Sequence, residues 1–316
     1  MVGARMTVGQ MFRRTLMISG MLACQPALAT AAQPGFSSPD DAVVALVGAL
    51  RKQEPAALGE LLGPGSEKLV HSGDPARDHQ EGKRFLDAYN THHALVDDGP
   101  DRLVLQVGLD DWPLPLPLVK QHGVWRFDAR TGAQEIVDRR IGRNELAAIF
   151  LSLAYVDAQK SYFDLLKQTT GAGAYARLLI STPGKHDGLY WPPADGSADS
   201  PLTPIMTSAL TDGYAGQLAA GSPVAYQGYY FRILDGQGAD APGGEKSYMR
   251  GGKMTDGFAL IAWPATYSAS GIMTFVVNED GVVFQKNLGP ETAANVASMM
   301  VFNPGLDWTR IDVIPK

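Results

Sequence analysis

A pattern of helical period runs from Gly132 to about Gln168, and its apolar stripe is formed by Ile136, Val137, Ile141 and Leu146. From Ala147 to Val156 nearly every side chain is apolar, which is typical of a helix buried on all sides. The pattern predicts one long helix, or two helices with a break near Gly142. Such a helix divides the chain of 316 residues into a part before it and a part after it.

The residues before this helix combine helical and strand-like patterns. Ser38 is a good N-cap for a first helix, and a short second helix is expected from Pro55 to Leu62. A third helix is expected from about Asp78 to Leu95. Strands are then predicted at Arg102–Gly108, Pro115–Gln121 and Val124–Ala129. The last two strands form a hairpin that turns at His122 and Gly123.

After Gly171 the character of the sequence changes. Glycine, proline and tyrosine become more frequent, and apolar residues alternate with polar ones, most clearly in "GIMTFVVNEDGVVFQKN". This segment predicts two strands, Met273–Val277 and Val282–Lys286, joined at "NEDG". Gly281 suits the turn because glycine adopts positive φ without strain.

Together these patterns predict an α+β fold with two domains, a division that the chain length favours. The first domain, residues 36–170, consists of helices and a small sheet and ends in the long linking helix. The second, residues 175–316, is mostly antiparallel β structure.

The N-terminal segment has the organisation of an export signal. Basic residues at positions 5, 13 and 14 precede the apolar run Thr15–Ala23, which is far shorter than the ~20 residues of a membrane span. The small residues of "ALATAA" offer cleavage sites for a signal peptide that covers residues 1–31. The motif around Cys24, "MLAC", matches a lipoprotein box poorly, so we expect no lipid anchor. We therefore expect a periplasmic or secreted protein, exported by the general secretory or the twin-arginine route.

Removal of this segment changes the composition in two ways. Cys24 is the only cysteine, so the mature protein has no disulfide and no cysteine ligand for a metal. Three arginines and no acidic residue are also lost, which takes the formal net charge from −6 to −9. Because the exported chain is acidic, we expect no nucleic-acid partner, and we expect no transmembrane segment after signal cleavage.

The densest group of ionisable side chains lies in the first half of the long helix. Its polar members are Glu135, Arg139, Arg140, Arg143, Asn144 and Glu145. The arginines could hold a phosphate or carboxylate through bidentate hydrogen bonds. However, Glu135 and Arg139 stand four residues apart in the order that stabilises a helix. We therefore predict a structural ion-pair cluster that docks the helix against the second domain. Arg139 and Arg143 should each have a carboxylate or backbone carbonyl partner, with Glu135 or Glu145 as the first candidates, and loss of Arg139 should cost much stability.

The best candidate for a ligand site is "HDGLYW", which contains His186, Asp187, Tyr190 and Trp191. An aspartate can select the tautomer of an imidazole, and the two aromatic rings can stack on a sugar or a peptide. The alternative is a loop whose aromatic rings cover the core and whose His-Asp pair caps a turn. Both interpretations are compatible with the sequence.

Several long phrases of the sequence resemble one protein family. They include "GAQEIVDRRIGRNELAAI", "YVDAQKSYF", "GKHDGLYW" and "GFALIAWPATYSASGIMTFVVNEDGVVFQKNLG". These phrases are similar to the DUF2950 family of bacterial exported proteins over nearly the whole mature chain. The family name implies an uncharacterised function, so the resemblance assigns no catalytic residue.

Two weaker resemblances concern the two predicted domains. Helices followed by a hairpin that ends in "VWRFDA" are similar to the start of NTF2-like cone folds. "GYYFRI" and the later "GIMTFVVNEDGVVF" are similar to the C-terminal β region of pseudopilins, although the long N-terminal apolar helix of pilins is missing.

The motifs of several large enzyme classes are missing from the sequence. It contains no zinc-protease helix, nucleophile elbow, P-loop or dinucleotide-binding loop, and its histidines lack metal-ligand spacing. We therefore expect no cofactor and no metal. Two function classes remain. The first is a non-catalytic periplasmic module that binds a small ligand or assembles with another envelope protein. The alternative is a hydrolase acting on a cell-envelope glycan or peptide near His186 and Asp187.

Overall fold

The computed structural model describes residues 33–193, 199–212, 214 and 224–312, so the predicted signal peptide and Cys24 lie outside the described residues. The described helices are α1 (Pro39–Lys52), α2 (Pro55–Leu62), α3 (Glu67–Val70), α4 (Pro75–Thr91), α5 (Ala129–Thr170), α6 (Thr203–Thr211) and α7 (Thr292–Ser298). The strands before α6 are β1 (His93–Asp97), β2 (Arg102–Val107), β3 (Trp112–Pro113), β4 (Leu118–Gln121), β5 (Val124–Phe127), β6 (Leu178–Ile180) and β7 (Gly188–Tyr190). The strands after α6 are β8 (Tyr229–Leu234), β9 (Gly236–Gln237), β10 (Lys246–Ser247), β11 (Met249–Arg250), β12 (Lys253–Met254), β13 (Ala259–Pro264), β14 (Met273–Asn278), β15 (Val283–Asn287) and β16 (Thr309–Ile311).

The first helix forms where the sequence places an N-cap. The Ser38 hydroxyl accepts a hydrogen bond from the Asp41 amide, which satisfies one of the free N–H groups at the helix start. The helix buries one face, formed by Ala42, Val43, Leu46 and Val47. This face belongs to a first hydrophobic cluster, which also contains Leu105, Val107, Leu118 and Phe127 from the first sheet.

The first sheet is antiparallel, with strand order β1-β2-β4-β5 and with β3 paired to β2. The predicted turn between β4 and β5 is confirmed, since His122 and Gly123 both have positive φ, as a two-residue hairpin turn requires. The prediction of a helix up to Leu95 is wrong at its end. The helix ends at Thr91, and β1 pairs with β2 from His93↔Val107 to Asp97↔Leu103. The neighbouring strand supplies the backbone hydrogen bonds that a longer helix would have made.

Helix α5 is a single helix of 42 residues, without a break at Gly142. It ends at Thr170 and is capped by Gly171, whose φ of 78° is a left-handed conformation that glycine adopts without strain. Ala133 belongs to the first hydrophobic cluster, whereas Ala148 and Tyr155 belong to a second cluster. The helix therefore links the two clusters.

The second cluster includes buried side chains of the other large sheet, an antiparallel arrangement of strand order β16-β15-β14-β13-β8. The predicted β14–β15 hairpin is confirmed. Its turn is closed by a 3.0 Å hydrogen bond from the Gly281 amide to the Asn278 carbonyl, and Gly281 has a φ of 72°. The α+β fold class, with a long helix followed by a strand-rich region, is thus confirmed. The division into domains at residues 170–175 stays a prediction.

Candidate functional site

The predicted ion-pair cluster on α5 contains one deeply buried arginine, Arg140, which is 3 % exposed. Its two terminal nitrogens donate hydrogen bonds of 2.8 Å to the carbonyls of Lys68 and Leu69. These carbonyls lie at the C-terminal end of α3, where backbone oxygens lack partners within the helix and a cation is favourable. Arg140 therefore holds α3 against α5.

The next turn of α5 contacts the C-terminal sheet. Asn144 is buried and donates a 3.0 Å hydrogen bond to the Ser270 carbonyl. One carboxylate oxygen of Glu145 accepts hydrogen bonds from the amides of Ile272 and Met273, at 2.9 and 3.0 Å. Both side chains therefore join the middle of the helix to the start of β14.

The other members of the cluster lie at the surface. Arg139 forms an ion pair with Glu135, and both side chains are 52 % exposed. Arg143 pairs with Glu81 on α4 at 2.8 Å. Both arginines thus have a carboxylate partner, as expected, although the partner of Arg143 is Glu81 rather than Glu135 or Glu145. Exposed ion pairs contribute little stability, so the large effect expected for Arg139 belongs to Arg140 instead.

The polar residues at the start of α4 that face this cluster were not predicted from the sequence. Asp74 is completely buried, and its carboxylate accepts the Arg77 amide at the helix start, the Tyr214 hydroxyl and the Gly228 amide. The phrase Gly-Asp-Pro at residues 73–75 is a recognisable helix start, because aspartate is a good N-cap and proline suits the first helical position. That phrase could have located the cap, but it carries no information about the two distant partners.

The α4–α5 junction is charged as well as buried. Nε of Arg77 and Nε of Arg140 lie 3.5 and 3.6 Å from the carboxylate of Glu81. These distances indicate ion pairs longer than hydrogen bonds. The pKa of the Asp78 carboxyl lies above its ordinary value, because the effect of burial outweighs the Ser72 hydrogen bond and the nearby Arg140, which both lower it. The junction therefore holds its charges by mutual pairing between two helices, and these contacts support a structural role.

The second candidate, the loop before β7, is organised by Asp187. One carboxylate oxygen accepts the Thr182 amide at 2.8 Å, and the other accepts the Thr182 hydroxyl at 2.9 Å. The backbone hydrogen bond is the main reason that the pKa of Asp187 lies below its ordinary value. Since both oxygens bind Thr182, the carboxylate closes the loop rather than orienting the neighbouring imidazole.

The aromatic residues of this loop have unequal exposure. Tyr190 and Trp191 are 8 % and 3 % exposed and belong to the second hydrophobic cluster, whereas His186 is exposed. The imidazole of His186 stacks on the indole of Trp191, with ring centroids 4.4 Å apart and an interplanar angle of 16°. The hydroxyl of Tyr162, on α5, donates a 2.8 Å hydrogen bond to the His186 carbonyl. The structure thus stacks the exposed imidazole of His186 on Trp191, whereas Asp187 binds Thr182 and Tyr190 is buried in the second hydrophobic cluster.

A cleft of about 340 Å³ lies elsewhere, between α1, α2 and the segment before α1. Its lining consists of Pro34, Phe36, Ala45, Gly48, Ala49, Lys52, Glu54, Ala57, Glu60 and Leu61. None of the predicted site residues contributes to it. The described residues contain no group of three or more metal-ligating side chains, and no helix among them is long and apolar enough to cross a membrane.

Comparisons with known proteins identify a family but no characterised relative. No curated protein and no solved structure matches the chain. The NTF2-like and pseudopilin-like resemblances of the two parts stay predictions. A family model with the description "Protein of unknown function (DUF2950)" matches residues 33–311, which include both hydrophobic clusters, α5 and the His186 loop. The chain therefore belongs to the DUF2950 family.

Proposed function

We propose that this protein is an exported, non-catalytic module of the cell envelope that binds a peptide or glycan at the His186 loop. The observation that carries the proposal is the way the ionisable side chains are used. Arg140, Glu145 and Asp187 all bind the backbone of the chain itself. Groups engaged in this way stabilise the fold and are poorly placed to transfer protons to a substrate.

The His186 ring is suited to stacking on a ligand. One face of the imidazole rests on the buried indole of Trp191. The backbone carbonyl of His186 accepts a hydrogen bond from the Tyr162 hydroxyl. A ring that is already ordered loses little conformational entropy when a ligand binds. Its outer side is exposed. The loop thus offers a flat, polar-edged surface to a sugar or a peptide group.

Two half-exposed apolar side chains lie beside this loop. Leu178 and Ile180 on β6 are each 42 % exposed, and β6 pairs in parallel with β7, which follows the loop. Because they are two residues apart in a strand, both side chains point to the same face of the small sheet. An apolar surface next to a polar ring matches the mixed character of glycans and peptides.

The export part of the proposal rests on the N-terminal segment. Basic residues, a short apolar run and "ALATAA" precede the first residue of the family match, Gln33. Purification from the periplasm and N-terminal sequencing should give a start between Thr30 and Gln33. An intact Met1, or a lipid on Cys24, would contradict it.

The binding site is tested by titrating the protein with muropeptides and short cell-wall glycans in a calorimeter. His186→Ala should abolish binding without changing the melting temperature, since the imidazole is exposed. His79→Ala, which removes an exposed histidine on α4, is the matched control and should bind normally. Unchanged binding by His186→Ala, or no binding of any compound by the unaltered protein, would overturn the proposal.

The alternative is a hydrolase centred on His186 and Asp187. Its support is limited to the closeness of the two residues in sequence, because both oxygens of Asp187 bind Thr182. The same compounds can be analysed for cleavage products by mass spectrometry. Cleavage that disappears in His186→Ala and persists in His79→Ala would establish the hydrolase instead.

A further inference from the structure

Helix α5 exposes two large apolar side chains in the middle of its outer face. Leu146 is 53 % exposed and Phe150 is 54 % exposed. They stand four residues apart, so they are neighbours on one face of the helix. Isolated exposed apolar residues are common. Two neighbouring ones on one face of a helix form an apolar patch, and none of the described residues covers it.

The patch continues along the helix with a regular spacing. The outer-face stripe consists of Arg143, Ala147, Phe150, Ala154 and Asp157, whose intervals are four, three, four and three residues. This spacing is the heptad spacing of helices that pack side by side along their length. Ala147 and Ala154 are small, and small side chains at the contact permit a short distance between helix axes.

The two charged residues of the stripe lie at equal distances on either side of Phe150 and have opposite signs. Arg143 lies seven residues before it and Asp157 seven residues after it, each about 10 Å away at ~1.5 Å per residue. The stripe therefore has one basic and one acidic end with an apolar centre. A surface of this kind is complementary to itself when a second copy runs in the opposite direction.

We propose that the outer-face stripe of α5 pairs with the same stripe of a second copy of this chain, antiparallel and about a twofold axis at Phe150. A twofold interface uses the same surface patch on both subunits. Arg143 of each copy then faces Asp157 of the other, and Leu146 faces the small Ala154. The two Phe150 rings meet on the axis.

The charged ends are able to make these contacts. Arg143 uses one terminal nitrogen for Glu81 and is 51 % exposed, so its planar group has further donors for a second carboxylate. Asp157 is exposed and has no ion-pair partner among the residues that the structure describes. In the proposed dimer each Asp157 faces the Arg143 of the other copy, so two such ion pairs form.

The pairing is a weak one. A standard stable interface involves roughly 20–30 residues on each side, and the stripe supplies five. We therefore expect a dimer that forms with rising protein concentration. Its formation does not depend on the His186 loop, so its test and that of the binding proposal are separate.

Cysteine crosslinking tests the geometry. In the full chain with Cys24→Ser, Phe150→Cys places a thiol on the proposed axis, directly opposite its copy. Mild oxidation should give a disulfide-linked dimer. Val44→Cys, at a 66 % exposed apolar residue of α1, is the matched control and should stay monomeric under the same conditions. Equal crosslinking of the two variants, or none at position 150, would overturn the proposal.

Sedimentation equilibrium tests the charges. Asp157→Arg should weaken the dimer by roughly tenfold or more, because two attractions become two repulsions. Adding Arg143→Glu to that variant should restore the dimer, since the ends are again opposite in sign. Asp110→Arg, at an exposed turn outside the stripe, should have no effect. A chain that stays monomeric up to about 1 mM, or a dimer indifferent to Asp157→Arg, would show that the stripe does not pair with itself.

Discussion

The carboxylate of Asp74 accepts a 2.7 Å hydrogen bond from the hydroxyl of Tyr214, 140 residues later in the chain. The same oxygen accepts the amide of Gly228 at 2.8 Å, and the other oxygen accepts the Arg77 amide. Burial, with the adjacent Asp74 charge, raises the pKa of Tyr214, which keeps the phenol protonated as the donor. One buried carboxylate thus caps α4 and joins it to two distant segments.

Asp74→Ala should therefore destabilise the protein by at least about 3 kcal/mol, because three buried donors lose their acceptor. Tyr214→Phe removes only one of the three bonds and should cost about 1–2 kcal/mol. Urea unfolding followed by circular dichroism measures both. Asp110→Ala, at an exposed turn, is the control and should be neutral. A loss below about 0.5 kcal/mol for Asp74→Ala would contradict this account of the junction.

The neighbouring arginines Arg139 and Arg140 should differ sharply. Arg140→Ala leaves the carbonyls of Lys68 and Leu69 and the Glu81 carboxylate without their buried partner, and we expect a loss of about 3–5 kcal/mol. Arg139→Ala removes a half-exposed pair and should cost about 0.5 kcal/mol or less. Thermal unfolding of the two variants gives the comparison directly. Similar losses for both would mean that burial does not separate their roles.

Two glycines of α5 provide a second matched pair. A Cβ atom at Gly132 would lie 1.2 Å from the carbonyl oxygen of Pro115, whereas a Cβ atom at Gly142 meets nothing within 4 Å. Gly132→Ala should therefore displace the backbone and cost several kcal/mol, on the order of the largest single-substitution effects. Gly142→Ala should stabilise the helix by up to about 1 kcal/mol. Melting temperatures that move in the same direction would refute the close approach of Pro115 to the helix.

The His186 loop should respond to acid through Asp187. Its folded pKa lies below the ordinary value of about 3.8 because of the Thr182 amide hydrogen bond, supported by the Thr182 hydroxyl. A depressed carboxyl pKa adds stability above the unfolded pKa, and this stability is lost as the pH falls through the folded pKa. Thr182→Val removes the hydroxyl but keeps the amide, so it should raise the pKa of Asp187 partway to 3.8.

Nuclear magnetic resonance titration of the Asp187 carboxyl carbon measures this shift. Thr182→Ser retains both donors and should titrate like the unaltered protein. An Asp187 pKa at or above 3.8 in the unaltered protein would mean that Thr182 does not close the loop.

Local features were predictable where the physical cause is local. The turns at His122-Gly123 and at Gly281 follow from residues that tolerate positive φ between alternating runs. The end of α4 was missed because the helical pattern continues past Thr91 and only the pairing of His93–Asp97 with β2 stops it. That pairing lies within residues 93–107 and competes with the local helical pattern, which by itself does not show where the helix ends.

The sequence by itself determined the α+β plan, the approximate extent of the helical segment α5 and the presence of a polar cluster in its first half, because helical period and turn residues act over a few positions. That this segment continues through Gly142 as one helix came from the structure. The tertiary structure alone decided that Arg140 is buried while Arg139 is exposed, that Asp74 binds Tyr214 and Gly228, and that Trp191 lies beneath His186. These outcomes depend on how two hydrophobic clusters meet along one helix. The carbonyls that bind Arg140 and the Tyr214 and Gly228 donors that bind Asp74 lie 71 to 154 residues away in the sequence, so only packing brings these groups together.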